Sequence, residues 1–228
     1  MHTSFKELLS SENMSIIVSL PENRVDLARA AVRAGADALK FHINVTHRAS
    51  GNHFKGIEHY VDVFKEIREE FSGPMGIVLG GTIEKVVHSD AQKLKEIGFS
   101  YYSLYPTHIG SKTLLQTDLQ HTVAINEEFT LEMVKALNSF PIDAIELSIV
   151  KKDDYGRALN LKDLVIYKAI RDCTTLPLIV PSQKRLILED LKVLKEIGIN
   201  AVMMGVATTG YTPTSIYESI SLFTKNRK

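Results

Sequence analysis

The sequence has one cysteine and no tryptophan, and its 27 basic side chains are balanced by 27 acidic ones in 228 residues. A lone Cys173 excludes an intramolecular disulfide and fits a reducing compartment. Zero net charge leaves no basic footprint for a nucleic-acid surface. The strongly apolar runs, such as Ala201 to Ala207, fall far short of the about 20 residues that cross a bilayer. Near the N-terminus, Lys6, Glu7 and Glu12 stand where a secretory signal would need an apolar run. These absences predict a cytoplasmic protein with neither a membrane nor a nucleic-acid partner. Hydrophobic residues at 44% and charged residues at 24% are ordinary globular values. They predict a single domain over residues 1–228, with a core that needs no disulfide or structural metal.

What is present is an alternation of strand-like and helix-like segments. Ser15 to Leu20 is a short apolar run closed by Pro21. Arg24 to Ala34 follows with helical spacing of Val25, Ala28 and Val32, and Gly35 suits the residue after a helix. Further strands are predicted at 38–44, 75–80, 99–105, 142–149, 177–181 and 201–206, with an eighth at His121 to Asn126. Helices are predicted near 57–71, 89–98, 127–139, 161–173, 186–197 and 213–224. The pentapeptide Leu94-Lys95-Glu96-Ile97-Gly98 recurs as Leu194-Lys195-Glu196-Ile197-Gly198, each copy just before a strand. Four units of about 25 residues each would span that interval in a barrel of about 250 residues. The alternative is that the pentapeptide is a common helix ending. The pattern predicts an α/β fold, a compact (β/α)8 TIM barrel. An open doubly wound sheet ranks second, because no Gly-rich dinucleotide fingerprint follows an early strand.

In such a barrel the active site lies at the C-terminal ends of the strands. Side chains alternate across a strand, so Lys40, His42 and Asn44 share one face against Leu39, Phe41 and Ile43. Likewise Glu146 and Ser148 oppose Ile145 and Leu147. The apolar sets should pack on the helices, which turns the polar sets into the barrel. Ser19, Asn126 and Ser182 are turned inward by the same logic. A Lys and a Glu inside a barrel would be costly without partners. One reading is an ion pair that fixes strand register; the other is an acid–base pair or an imine-forming Lys.

The segment His42 to Gly56 holds three His, Arg48 and Lys55 and no acid. As a top-face loop it is expected to attract an anionic substrate, with His47 and Arg48 in contact. His42, His47 and His53 match no metal-site spacing, so neither metal nor cofactor is expected. A second anion signal is Gly205 to Gly210, with Thr208 and Thr209, followed by Thr212 as N-cap and Pro213 as first helical residue. Ser182 and Gln183 after the seventh strand would add side-chain donors. Tyr155-Gly156, in the charged loop after the sixth strand, would suit a lid hinge, although a solvated loop ranks ahead of that reading.

The stretch Leu176 to Phe223 resembles the last two units of the ribulose-phosphate-binding barrel superfamily: a strand, a helix ending Lys-Glu-Ile-Gly, an apolar strand ending at Gly205, and a helix opening Thr-Pro. Within that group Ile17-Val18-Ser19 is similar to the first strand of the N-acylglucosamine-6-phosphate 2-epimerases. That resemblance implies phosphate binding and proton transfer by a Lys and a Glu. The sequence departs from it at Gly76 to Gly80, which offers no Lys, and at Ser182-Gln183, which replaces a glycine pair. Orotidine-phosphate decarboxylases also carry a Lys on the second strand, but their Asp-x-Lys-x-x-Asp motif is absent.

The expected function is therefore an enzyme acting on a small phosphorylated, sugar-like metabolite by proton transfer next to a carbonyl, as an epimerase, isomerase or carbon–carbon lyase. Lys40, Glu146 and His42 are its expected catalytic residues. Ser19, Asn44, His47, Arg48, Asn126, Ser148, Ser182 and Gln183 are expected to bind substrate, and Gly205, Thr208 and Thr209 to bind phosphate. A Schiff-base aldolase using Lys40 and a non-catalytic metabolite-binding barrel are the rivals. A homo-oligomer remains open.

Overall fold

The computed structural model describes residues 4–47, 49–116 and 118–226. Eight parallel strands, β1 (Ser15–Ser19), β2 (Ala38–His42), β3 (Met75–Val78), β4 (Tyr101–Leu104), β5 (Gln120–Ile125), β6 (Ala144–Leu147), β7 (Leu178–Pro181) and β8 (Ala201–Met204), follow one another in space as in sequence. β8 pairs with β1, Ser15 opposite Ala201, and closes the barrel. The fold is a (β/α)8 barrel, and the short strand after Leu119 takes its expected fifth place.

Among the described residues, seven helices surround the barrel, at Val25–Arg33, Val61–Glu70, His88–Ile97, Leu131–Leu137, Leu161–Cys173, Leu188–Glu196 and Pro213–Lys225. Between β4 and β5 the described residues form a 3-10 turn, Pro106–His108, and the four-residue helix Ser111–Leu114. The helix expected to start at a Ser89 or Asp90 cap begins at His88, so both residues lie in its first turn. Thr212 caps the last helix as expected, its hydroxyl accepting from the Ser215 N–H at 3.1 Å.

Alternation along each strand divides the apolar residues between two shells. Ile16 and Val18, Leu39 and Phe41, Ile145 and Leu147, and Val202 and Met204 join the core between strands and helices. Ile17, Ala38, Tyr101, Ala144, Ile179, Ala201 and Met203 fill the inside of the barrel. The floor is plugged by an unforeseen helix, Phe5–Leu9, capped by Ser4 and Glu7. Phe5 and Leu9 enter that inner cluster, and the Phe5 ring stacks on Tyr101 with centroids 3.6 Å apart. Room for Tyr101 comes from Gly76, its paired neighbour on the adjacent β3: a Cβ there would lie 2.0 Å from the Tyr101 ring.

The two halves of the barrel share a local device. Asp37, just before β2, accepts from Ile16 N–H through Oδ2 at 2.8 Å, while its own N–H donates to Ile16 O at 2.9 Å. Asp143, just before β6, makes the same clasp on His121, at 2.7 and 2.8 Å. Asn200, before β8, clasps Leu178 in the same way, at 2.9 and 3.0 Å. Asp37-Ala38-Leu39-Lys40 and Asp143-Ala144-Ile145-Glu146 are thus equivalent segments on opposite sides of the barrel. The repeated pentapeptide likewise recurs four strands on. It ends the helices after β3 and β7 on Gly98 and Gly198, both at positive φ (105° and 93°). Each glycine carbonyl accepts from an Arg on the preceding helix, Arg68 at 3.2 Å and Arg171 at 3.4 Å.

Gly76→Ala is expected to destabilise the fold by about 1–3 kcal/mol, because the added methyl overpacks the Tyr101 ring. Urea denaturation would show a lowered midpoint, restored in part by adding Tyr101→Leu. A single variant as stable as the wild type would refute this packing account.

Candidate active site

Above the Tyr101 layer the barrel interior turns polar. Lys40 Nζ on β2 donates to Glu146 Oε2 on β6 at 2.6 Å, and both side chains are more than nine-tenths buried, at 6% and 8% exposed. Ser103 on β4 donates its hydroxyl to the same oxygen at 2.6 Å. One acceptor thus holds an ammonium and a hydroxyl in fixed directions. Such pairing is what makes two buried charges tolerable, and removing one partner typically costs about 3–5 kcal/mol.

The pair lies in a cavity of about 270 Å³ that opens at the C-terminal ends of the strands. Ser19, His42, Ser148, Ser182 and Gln183 line it, as does His47 from the loop after β2. Its apolar wall includes Val78, Leu104, Pro181, Met203 and Val206. At the rim, Gln183 Nε2 donates to Ser148 Oγ at 2.8 Å and to the Tyr155 hydroxyl at 2.7 Å. Its Oε1 accepts from Val150 N–H at 3.1 Å. Tyr105 reaches Ser148 at 3.0 Å. The loop carrying Tyr155 is tied to β7 by Gly156 N–H, which donates to Gln183 O at 2.8 Å from a positive-φ glycine (75°).

Among the described residues, the segment after β2 places no cationic side chain at the cavity. It folds back as a two-stranded ribbon, Val45–Thr46 against His53–Phe54, which presses His47 onto His42 with ring centroids 4.3 Å apart. Burial, then the neighbouring His47 and Lys40, push the His42 pKa well below its usual value. Burial and then Lys40 lower His47 to about 4, against the opposing pull of Glu146. Both imidazoles are neutral at pH 7. Lys55 is exposed and His53 points to Thr46 at 3.1 Å; neither lines the cavity. Arg48 lies outside the described residues.

Three further expectations are corrected. Asn44 sits past the end of β2 at positive φ (54°), so strand alternation no longer governs it. Its amide donates to Leu79 O at 3.3 Å and ties down the loop instead of lining the cavity. Asn126 also follows its strand, where the chain turns outward; it donates to Glu128 at 3.2 Å and faces a different cavity. Thr208 and Thr209 belong to a short helix, Val206–Thr209, that intervenes before the Thr212 cap. This turn presents Gly205, Val206 and Ala207 to the cavity. The Thr209 hydroxyl donates instead to Gly210 O at 3.2 Å, and the Thr208 hydroxyl is buried without a hydrogen-bond partner. The Gly205 N–H is already taken by Ser182 Oγ at 2.8 Å. Ser103 was missed, although the inward set Tyr101, Ser103, Tyr105 follows from the same alternation that revealed Lys40. Among the described residues, no group of three or more His, Cys, Asp or Glu is placed to hold a metal ion, and no helix is long and apolar enough to cross a membrane.

No family model and no curated protein matches the sequence. Solved structures do match. Tryptophan synthase of Mycobacterium tuberculosis aligns with a TM-score of 0.73 at 12% identity, over 99% of this chain and 98% of that one. The chain is a TIM barrel. Thiamine phosphate pyrophosphorylase of Pyrococcus furiosus aligns at 0.66 and 10% identity over 95% and 96% of the two chains. The tryptophan synthase A-subunit of Pyrococcus furiosus aligns at 0.70 and 12%, over 94% and 98%. Identities this low speak for the TIM barrel alone, and the similarity to the epimerases rests on the residues quoted for it.

His47 provides a test of the cavity electrostatics. Its folded pKa lies below the unfolded value near 6.5, so the folded state binds fewer protons between the two. Its contribution is complete above about pH 6.5. It is lost as pH falls toward about 4, by at most about 1.4 kcal/mol per pH unit. His47→Gln is expected to flatten the pH dependence of urea stability in that window. Parallel curves for variant and wild type would contradict the placement.

Proposed function

We propose that the protein is an enzyme that moves a proton next to a carbonyl of a small phosphorylated, sugar-like substrate, acting as an epimerase, isomerase or carbon–carbon lyase. The observation that carries this reading is the 2.6 Å Lys40–Glu146 contact facing the cavity at the strand tops. In the epimerase or isomerase form, Glu146 takes the proton from the carbon beside the carbonyl. The C–H electron pair moves into an enolate, and the Lys40 ammonium turns from the carboxylate to the oxygen that gains charge. Return of the proton to the other face, or to the neighbouring carbon, completes the reaction. Ser103 keeps Glu146 oriented throughout. His42, neutral and walled in by His47 and Phe54, supplies a hydrogen-bonding imidazole without a competing charge.

For the phosphate, this reading uses the Ser182 hydroxyl with the first-turn amides of Val206 and Ala207, which have no intrahelical acceptor. These donors are neutral, so in this reading the described residues hold the phosphate by hydrogen bonds. Tyr155, Ser148 and Gln183 would contact the remaining hydroxyls. An imine mechanism is less well supported, because the Lys40 nitrogen is engaged by Glu146 at 2.6 Å and would have to leave it to attack a carbonyl.

The test is exchange of the substrate's carbon-bound proton in D2O, followed by NMR across a panel of phosphorylated aldoses and ketoses. Glu146→Gln and Lys40→Met are each expected to slow exchange by about 10²–10⁴-fold. Circular dichroism would check that each variant stays folded, and the double variant should recover part of the stability lost with one partner. Full exchange in either single variant would sink the assignment. Ligand-induced stabilisation without exchange would leave a binding barrel, and borohydride trapping of a substrate adduct on Lys40 would favour the aldolase.

A further inference from the structure

A second cavity, of about 710 Å³, lies between the N-terminal parts of helices Leu131–Leu137 and Leu161–Cys173. It shares no lining residue with the catalytic cavity. Phe129, Leu131, Val150, Ile166 and Ile170 give it an apolar wall, and charged side chains, among them Lys151, Asp154, Arg157 and Lys162, also line it. Its volume falls within the about 300–1,000 Å³ of small-molecule sites.

Of the charged side chains that line it, Lys184 alone is buried. Lys184, in the loop after β7, is 5% exposed and lines the cavity. Its single polar side-chain contact among the described residues is Asp163 Oδ2 at 3.5 Å, longer than a good hydrogen bond. That oxygen is already engaged, because it accepts from the Asn160 N–H at 3.1 Å as part of the cap of helix Leu161–Cys173. An ammonium has three N–H donors, and a buried one is costly unless they are satisfied. Asp163 satisfies them poorly. The nearby Asp154 is occupied by Arg157 at 2.9 Å.

We propose that this second cavity is a binding site for a small organic carboxylate with an apolar body, aromatic or medium-chain aliphatic. The carboxylate accepts the free N–H groups of Lys184, and the body lies against Val150, Ile166 and Ile170. A neutral or cationic ligand would leave the ammonium as poorly paired as it is now. The assignment is independent of the reaction proposed for Lys40 and Glu146.

Calorimetric titration of the full chain with phenylacetate and hexanoate, each against its own amide, tests it without any turnover. The acids are expected to bind, and the amides at least about tenfold more weakly. Lys184→Met should weaken acid binding at least about tenfold and erase the preference over the amide. Ile166→Trp fills the cavity from a position that is 38% exposed, and should weaken acid and amide together. No binding by either acid, equal binding of acid and amide, or undiminished acid binding by Lys184→Met would overturn the proposal. If Lys184→Met does not fold, Ile166→Trp decides: unchanged acid affinity places the ligand elsewhere.

Discussion

The pairing of Lys40 with Glu146 across the inside of the barrel is the constraint on which the upper half of the molecule depends. The two side chains come from opposite strands and meet at 2.6 Å where water is scarce. Neither could be left there alone, since an unpaired charge at that depth costs several kcal/mol. The strands that carry them are held in register at their starts by the equivalent Asp37 and Asp143 clasps. Ser103 adds a third point on β4. The Phe5 plug and the Tyr101 layer close the barrel below. The charged pair thus has one accessible side, the cavity.

Desolvation governs the rest of that cavity. The ribbon after β2 buries His42 and His47 beside an ammonium, and both pressures favour the neutral imidazole. A segment that looks basic in composition therefore contributes two neutral rings to the wall. Polar character at the rim comes instead from hydroxyls and an amide: Tyr105, Ser148, Gln183 and Tyr155 in one connected network. Gln183 ties the loop after β6 to the top of β7 and sits between the two cavities, with Lys184 facing the other side.

Strand alternation was the most informative signal in the sequence. It placed Lys40, His42, Glu146, Ser148, Ser19 and Ser182 at the cavity because each lies within a strand or at its first step beyond, where the period of two still holds. It failed for Asn44, two residues past β2, where a positive φ resets the direction, and for Asn126, which follows β5 directly, as Ser148 follows β6, yet faces the other cavity. Thr208 and Thr209 failed for a related reason: a short helix turned Val206 and Ala207 toward the cavity in their place. The Asp-Ala-Leu-Lys and Asp-Ala-Ile-Glu echo was also available, and it marks the two strands whose charges meet.

The sequence by itself determined the eight alternating units, the inward face of each strand, and the presence of a Lys and a Glu among the inward residues. These follow from local periodicity, which needs no knowledge of distant partners. It took the tertiary structure to decide that this Lys and this Glu share one hydrogen bond, that burial favours the neutral form of His42 and His47, and that a buried Lys184 faces a separate cavity. Each of these depends on which strands lie opposite and on how much water remains between them. No spacing along the chain encodes either quantity.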